Sequence, residues 1–426
     1  MSAASAGAPG ARTSWPARIL LAAGGLLFSL LLAEGGIRLY EALVGPLGAR
    51  MRTSGNEVKR HHDLLDYEYI PGARSARVRW PEHPNGFIEV GVNNLGLRMD
   101  RDVTREKPAG TLRILTLGDS QTAGIVDNPE SWPNLLDARL AAAAGRPVEV
   151  LNAGVTGYRP MQEYLWWRVN GRGLHPDYVI LGYYTGNDFF DAARGRLKRG
   201  AGGAWTLDET PWPDSGPGPW ERALLHTRLW SILIAPLRPK PFEGFDRRPD
   251  AFDDPAFRAR YEPLYLNARR ECVGCFSQSF LQAHILLVGD PDELDADRDA
   301  TRELLARLRN ETAEAGAGLL LVLIPGKLQI EEDGSGRAAK LAAEMGLPPP
   351  SQPIEDRVRA EMTQIAAGLG VEMLDPLDAL KAARAAAPKP FYYDEDWHLN
   401  VDGNEALARI VQERLVSGPL AAAPPH

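Results

Sequence analysis

The sequence predicts an α/β protein whose parallel sheet is covered by helices on both faces, and three observations carry that expectation. Short, nearly continuous apolar runs recur at 112–117 (LRILTL), 148–151, 178–184 and 319–324, as in strands buried on both faces. Between them lie stretches with helical periodicity and helix start signals. Strand and helix alternate, as parallel neighbours require, because a parallel pair cannot be joined by a tight turn.

Along the chain, residues 1–18 read as a cytoplasmic tail carrying Arg12 and Arg18 and no acid. Ile19 to Ala33 is an uncharged run, extended by Ile37, Leu39 and Tyr40 past Glu34. A span needs roughly 20 residues, so 19–40 reads as a short transmembrane helix or a signal segment. The exit, Leu32-Ala33-Glu34-Gly35-Gly36, is a poor cleavage site, which favours an uncleaved anchor and places the body on the periplasmic or extracellular side.

Residues 41–110 read as a tether followed by a small β-rich lead-in, with alternation at 77–80 and 86–92 and turns at Pro71-Gly72 and Pro84-Asn85-Gly86. The sheet domain opens over 111–199. Ser131 caps a helix to Ala144 with Pro133 in its first turn, and a second helix surrounds 161–169. A Trp/Pro-rich insertion at 200–298 breaks the rhythm, with a short helical stretch near 221–233. The second part, 299–420, supplies helices at 299–315, 354–369 and 403–415 and strands at 319–324 and 371–374.

Composition narrows the function. The chain has 426 residues and a net charge of −8, which argues against a nucleic-acid binder relying on overall positive charge. Two cysteines exclude a disulfide-dense scaffold and an all-cysteine zinc site.

The chemistry concentrates at strand ends. Gly118-Asp119-Ser120 follows the first sheet strand, Asn152-Ala153-Gly154 the second and Gly186-Asn187-Asp188 the third, while Asp396-Trp397-His398 precedes the last helix. Carboxyl ends of parallel strands are where open α/β sheets bind ligands. The reaction class that uses such a set is acyl transfer. Serine attacks, histidine carries the proton, aspartate orients the imidazole and N–H groups meet the oxyanion.

These four blocks, in this order, closely resemble the SGNH (GDSL) hydrolase family over about 111–190 and 318–418. The resemblance implies a flavodoxin-like three-layer sandwich, with Ser120 as nucleophile, His398 as base and Ser120 N–H, Gly154 and Asn187 as oxyanion donors. The family's acid usually stands three residues before the histidine, where this chain has Glu395. Asp396 stands two before, a spacing resembling the membrane-anchored and polysaccharide-acetylating branches. We take Asp396 as the acid and keep Glu395 as the alternative. Asn93–Arg98 (NNLGLR) also resembles a segment ahead of the GDS block in envelope-anchored relatives.

The expected activity is that of an esterase, deacetylase or O-acyltransferase working through an acyl-enzyme, without metal or cofactor. The expected partners are an ester-bearing glycan or lipid, the membrane through the N-terminal helix, and no nucleic acid. The transferase outcome further implies a multi-pass acyl-donor protein. The competing class is a non-enzymatic, glycan-binding envelope protein.

Weaker signals have ordinary readings beside functional ones. Cys272 and Cys275 suit a local disulfide. His61-His62 suits a solvated pair rather than a metal site, and His175, His226 and His284 suit packing or surface roles. Trp205, Trp212, Trp220 and Trp230 suit core anchoring or sugar stacking. Lys327 suits a turn or an anionic substrate group, and Asp188 suits a cap or pocket wall.

Overall fold

The computed structural model describes residues 14–43, 58–75, 77–143, 145–192, 196–200, 202–211, 227, 229, 291–331, 354–394 and 397–418. The chain divides into two units, 1–49 with 215–241 and 50–214 with 242–426.

The first unit holds α1 (Trp15–Leu43), a helix of 29 residues, about 44 Å long at 1.5 Å per residue. Its Trp15–Tyr40 stretch is long and apolar enough to cross a membrane, and none of it is buried. The helix is longer than the 19–40 span expected from the apolar run. It continues through Glu34 because Arg38, one turn on, pairs with that carboxylate at 2.7 Å.

The second unit is built on β5 (Leu112–Gly118), β6 (Val148–Asn152), β7 (Tyr178–Tyr184), β10 (Gly318–Ile324) and β11 (Glu372–Leu374). These strands form one parallel sheet in the order β11-β10-β7-β5-β6. The chain therefore steps outward from β5 in both directions, and the point of reversal lies at β5 and β7.

Alternation along each strand feeds two apolar layers. Leu112 and Ile114 of β5, with Leu320, Val322 and Ile324 of β10, face α3 (Trp132–Ala143) and α10 (Val401–Ser417), where Trp132, Leu136, Leu407 and Val411 complete the layer. Leu115, Leu117, Leu321 and Leu323 point the other way. They meet α4 (Pro160–Trp166), α6 (Pro291–Glu314) and α8 (Ile354–Leu369) through Met161, Leu304, Leu308 and Met362. This is the three-layer arrangement the sequence predicts.

The lead-in is part of this core. β1 (Lys59–His62) and β2 (Asp66–Tyr69) form an antiparallel hairpin, as do β3 (Val78–Arg79) and β4 (Phe87–Ile88). Val58, Leu65, Tyr69, Val90 and Leu97 are buried in the same apolar layer as α4. Residues 58–60, expected in the tether, thus enter the folded body.

Other differences have local causes. A hairpin of β8 (Leu197–Arg199) and β9 (Trp205–Leu207) crosses the expected insertion boundary; its two strands have only three residues each, with Leu197, Trp205 and Leu207 packed on the core and Lys198, Arg199 and Thr206 exposed. Helix α6 starts at Pro291, earlier than expected, because its first two turns (PDELDADR) carry acids rather than an apolar stripe. Helix α9 (Leu377–Ala386) was not anticipated; it buries only Leu377 and Leu380, too few for a periodic signal. The helical stretch near 221–233, the cysteine pair, His226, His284 and Trp212, Trp220 and Trp230 lie outside the described residues, apart from Thr227 and Leu229.

Candidate active site

The turn after β5 carries Ser120 into α2 (Ser120–Ala123), with Asp119 as its cap. Far along the chain, residues 391–400 fold back on themselves. Tyr392 bridges Leu399, and the Tyr393 N–H donates to the His398 carbonyl at 2.9 Å. That fold-back brings His398 Nε2 to 2.7 Å from Ser120 Oγ. Both residues are buried, His398 at 4% exposure and Ser120 at 7%. This is the reach a general base needs to take a hydroxyl proton.

Three groups hold the histidine segment. Gln121 Nε2 donates to the Trp397 carbonyl at 3.4 Å, and the Leu399 N–H donates to Gln121 Oε1 at 3.1 Å. Lys327, in α7 (Lys327–Ile330) after β10, donates from Nζ to the carbonyls of Tyr393 and Asp394 at 3.0 and 2.8 Å. It also pairs with the Asp394 carboxylate at 3.0 Å. Of the two readings for Lys327, the structure matches the turn, because the ammonium fastens the histidine-bearing loop. Trp397 has a left-handed backbone, φ +63, uncommon for a bulky side chain and held here by these bonds.

Two buried carboxyl groups, Asp119 and Glu163, lie close to Ser120. Asp119 Oδ1 accepts the Gln121 N–H at 2.8 Å, and the Ser120 hydroxyl is 3.4 Å from Oδ2. Burial pushes the Asp119 carboxyl up to about 6, while the Gln121 N–H and the charge of His398 pull the other way. Glu163, in the first turn of α4, is 1% exposed, and neither carboxyl oxygen has a hydrogen-bond partner among the described residues. Burial, reinforced by Asp119, holds it well above the usual glutamic range. Burial without a partner thus favours its neutral form.

The loop after β6 departs from expectation at Gly154. Its N–H donates to Asn152 Oδ1 at 3.0 Å. A Cβ at this position would lie 2.4 Å from the Ala123 nitrogen, so glycine lets the loop close against α2. The donor expected to face an oxyanion is already occupied. Three residues on, Gly157 is exposed with φ +87, and its N–H has no acceptor among the described residues. The Ser120 N–H is likewise without one.

Asn187 follows β7 as the cap residue of α5 (Asp188–Asp191), half-buried on the same strand-end rim. Asp188 is a turn residue: its buried carboxylate accepts the Tyr184 N–H at 2.7 Å. Glu395 and Asp396, the two candidate acids, lie outside the described residues.

The remaining candidates take their ordinary roles. His61 faces Asp63 at 3.3 Å, and His62 Nδ1 accepts the N–H groups of Leu64 and Leu65. His175 ends a helical turn with left-handed φ. Trp205 is half-buried beneath the Arg199 guanidinium, 5.7 Å from its ring centre. Among the described residues the ligand atoms of His83, Asp127 and Glu130 lie close enough to hold an ion. They satisfy backbone and one another instead. His83 Nε2 is 2.8 Å from Glu130, Asp127 accepts the Glu89 N–H, and Glu130 accepts the Asp127 N–H.

Sequence reasoning missed Gln121, Glu163 and the role of Arg98. Arg98 is fully buried and donates to the carbonyls of Ala123, Gly124 and Val126, bracing the segment that follows the nucleophile. The Asn93–Arg98 stretch pointed to that region but not to its carbonyl partners.

The model of the GDSL-like lipase/acylhydrolase family matches residues 116–406, well over half the chain. No curated protein matches it. Among solved structures, a lipase/acylhydrolase from Enterococcus faecalis is similar at 13% identity over 74% of this chain and 98% of that one, TM-score 0.36. An acetylxylan esterase from Geobacillus stearothermophilus shows 14% identity over 71% and 94%, TM-score 0.34. An α/β hydrolase from the Lake Arreo metagenome shows 14% over 73% and 97%, TM-score 0.36. Likenesses this remote carry no argument about substrate.

Proposed function

The chain belongs to the GDSL-like lipase/acylhydrolase family, and from that premise we propose that it cleaves acyl esters, acetyl or other, through an acyl-serine on Ser120. The observation that carries the reading is the 2.7 Å approach of His398 Nε2 to Ser120 Oγ. Ser120 Oγ adds to the ester carbonyl carbon while its proton passes to His398, and the carbonyl π pair becomes the oxyanion. Collapse expels the alcohol oxygen, which takes the proton from His398 and leaves the acyl group on serine. Water then repeats the sequence and releases the acid; a sugar hydroxyl in its place would make the protein an O-acyltransferase.

In this reading Asp396 orients the imidazole. The oxyanion donors are the Ser120 N–H, the Asn187 side-chain amide and the unoccupied Gly157 N–H, in place of the engaged Gly154. Helix α1 anchors the body at a membrane on its periplasmic or outer side. That location favours esters carried by envelope or exported glycans over free lipid esters. For transfer, the acyl donor would be a multi-pass membrane protein.

A fluorophosphonate probe tests the nucleophile: it should label the full-length protein and leave Ser120→Ala unlabelled. A well-folded wild type that takes no label would overturn the reading and favour a binding module. With p-nitrophenyl acetate, adding an oligosaccharide separates the two fates. Undiminished acetate release without acetylated sugar means hydrolysis, and diversion to a sugar ester means transfer.

A further inference from the structure

Three side chains of the β1–β2 hairpin converge on Thr156. Lys59 Nζ donates to the Thr156 carbonyl at 2.6 Å, and the Tyr67 hydroxyl donates to the same oxygen at 3.1 Å. Tyr69 contributes its hydroxyl to Thr156 twice, 3.4 Å from both Oγ1 and the backbone nitrogen. In return, the Tyr158 hydroxyl donates to the Tyr67 carbonyl at 2.6 Å. The ammonium of Lys59 lies 4.3 Å from the Tyr67 ring centre. Asp66, which opens β2, has a left-handed φ of +68, a conformation such a short polar residue tolerates.

The partner of the Thr156 carbonyl in its peptide plane is the Gly157 N–H. In a planar trans peptide the two point in opposite directions. An N–H whose carbonyl is gripped by a cation and a phenol is turned away from the hairpin, and the polarised amide is a stronger donor. The loop itself is pinned to the nucleophile turn, because the Val155 N–H donates to the Gly118 carbonyl at 3.0 Å. The hairpin also lies within electrostatic range of that turn, since the Asp119 charge acts on Tyr67.

We propose that Lys59 and Tyr67 are positioning residues that aim and polarise the Gly157 N–H as an oxyanion donor, so the hairpin ahead of the family-matched region completes the active site. The inference rests on the acyl-serine reading above. As Ser120 Oγ adds to the ester carbon and charge gathers on the carbonyl oxygen, the donor is already oriented and needs no reorganisation. A half-buried cation one peptide away contributes to that stabilisation without touching substrate.

Around Lys59, Asp66 is the charge that acts on the ammonium, the Tyr67 ring lies beneath it and Tyr69 is its strand partner, while Arg159 and Asp119 act on Tyr67. Burial lowers the Lys59 ammonium to about 8, opposed by the Asp66 carboxylate. Its charge is therefore complete below that value and lost above it.

The test uses full-length protein, p-nitrophenyl acetate and the fluorophosphonate probe. In Lys59→Met, kcat should fall about tenfold, short of the hundredfold or more expected for deleting an oxyanion donor outright. KM should stay within about twofold, because the lost stabilisation belongs to the transition state. The ratio of wild-type to variant kcat should shrink as pH rises through about 8. In Asp66→Asn the alkaline limb should move to lower pH, since the carboxylate that holds the ammonium charged is gone. A purely structural lysine would produce neither pH effect.

If Lys59→Met does not fold, Tyr67→Phe decides. It keeps the ring and removes one donor, and should lower kcat several-fold at unchanged KM. A folded Lys59→Met or Tyr67→Phe with wild-type kcat, or a change confined to KM, would overturn the proposal while wild-type labelling of Ser120 still upheld the acyl-serine reading. Absence of Ser120-dependent labelling in the wild type would instead remove the reading itself.

Discussion

Gln121 grips the backbone on both sides of His398, donating to the Trp397 carbonyl and accepting from the Leu399 N–H. The residue next to Ser120 thereby fixes where the His398 imidazole stands. Two such bonds are worth about 1 kcal/mol each. Gln121→Ala should therefore lower kcat by roughly ten- to thirtyfold, with KM little changed, in steady-state assays with p-nitrophenyl acetate. A wild-type kcat would show that the remaining bonds of the 391–400 fold-back suffice.

Asn187→Ala removes one proposed oxyanion donor. The loss should be roughly 2.7–4 kcal/mol of transition-state stabilisation, a fall in kcat of about a hundredfold or more. Ser120 labelling should persist at a reduced rate. A change confined to KM would assign Asn187 to substrate binding alone.

Asp396 and Glu395 are separated by the same assay. Removing the residue that orients the imidazole costs about 10⁴ in turnover. Asp396→Ala should show that loss, while Glu395→Ala remains near wild type; the reverse pattern would transfer the role to Glu395.

Glu163 gives a stability prediction with a definite sign. Its folded carboxyl is held protonated well above the ordinary value of 4.5 by burial and then by Asp119. Unfolded, it ionises near that value, so rising pH favours the unfolded chain until the folded group ionises too. The stabilising contribution is thus complete at low pH and drains away as pH rises. Glu163→Gln cannot titrate, so its stability relative to wild type should grow by about 1.4 kcal/mol per pH unit above the ordinary glutamic range. Thermal melts of both proteins from acid to neutral pH test this; parallel curves would mean that Glu163 is ionised in the folded state.

Much of the sheet was legible because its strands are buried on both faces, leaving unbroken runs such as YVILGYY at 178–184 and GLLLVLI at 318–324. The pairing of Ser120 with His398 was legible because their blocks sit next to a strand end and a helix start. Helix α9 and the β8–β9 hairpin were not, since the helix buries only two apolar residues and the hairpin strands have three residues each, too short to imprint a period. The place of the lead-in was also hidden: Val58, Leu65 and Leu97 are ordinary apolar residues until the α4 layer closes over them.

Sequence alone determined the layer architecture and pointed to the serine and histidine that the fold brings together, because burial on two faces and the chemistry of a serine–histidine set are written in residue types. Tertiary structure decided which amide hydrogens are spare. The sequence singled out Gly154, but Asn152 occupies its N–H, while Lys59 and Tyr67, almost a hundred residues upstream, hold the carbonyl paired with the Gly157 N–H. Whether a donor is free depends on contacts between segments far apart in sequence, which no local pattern records.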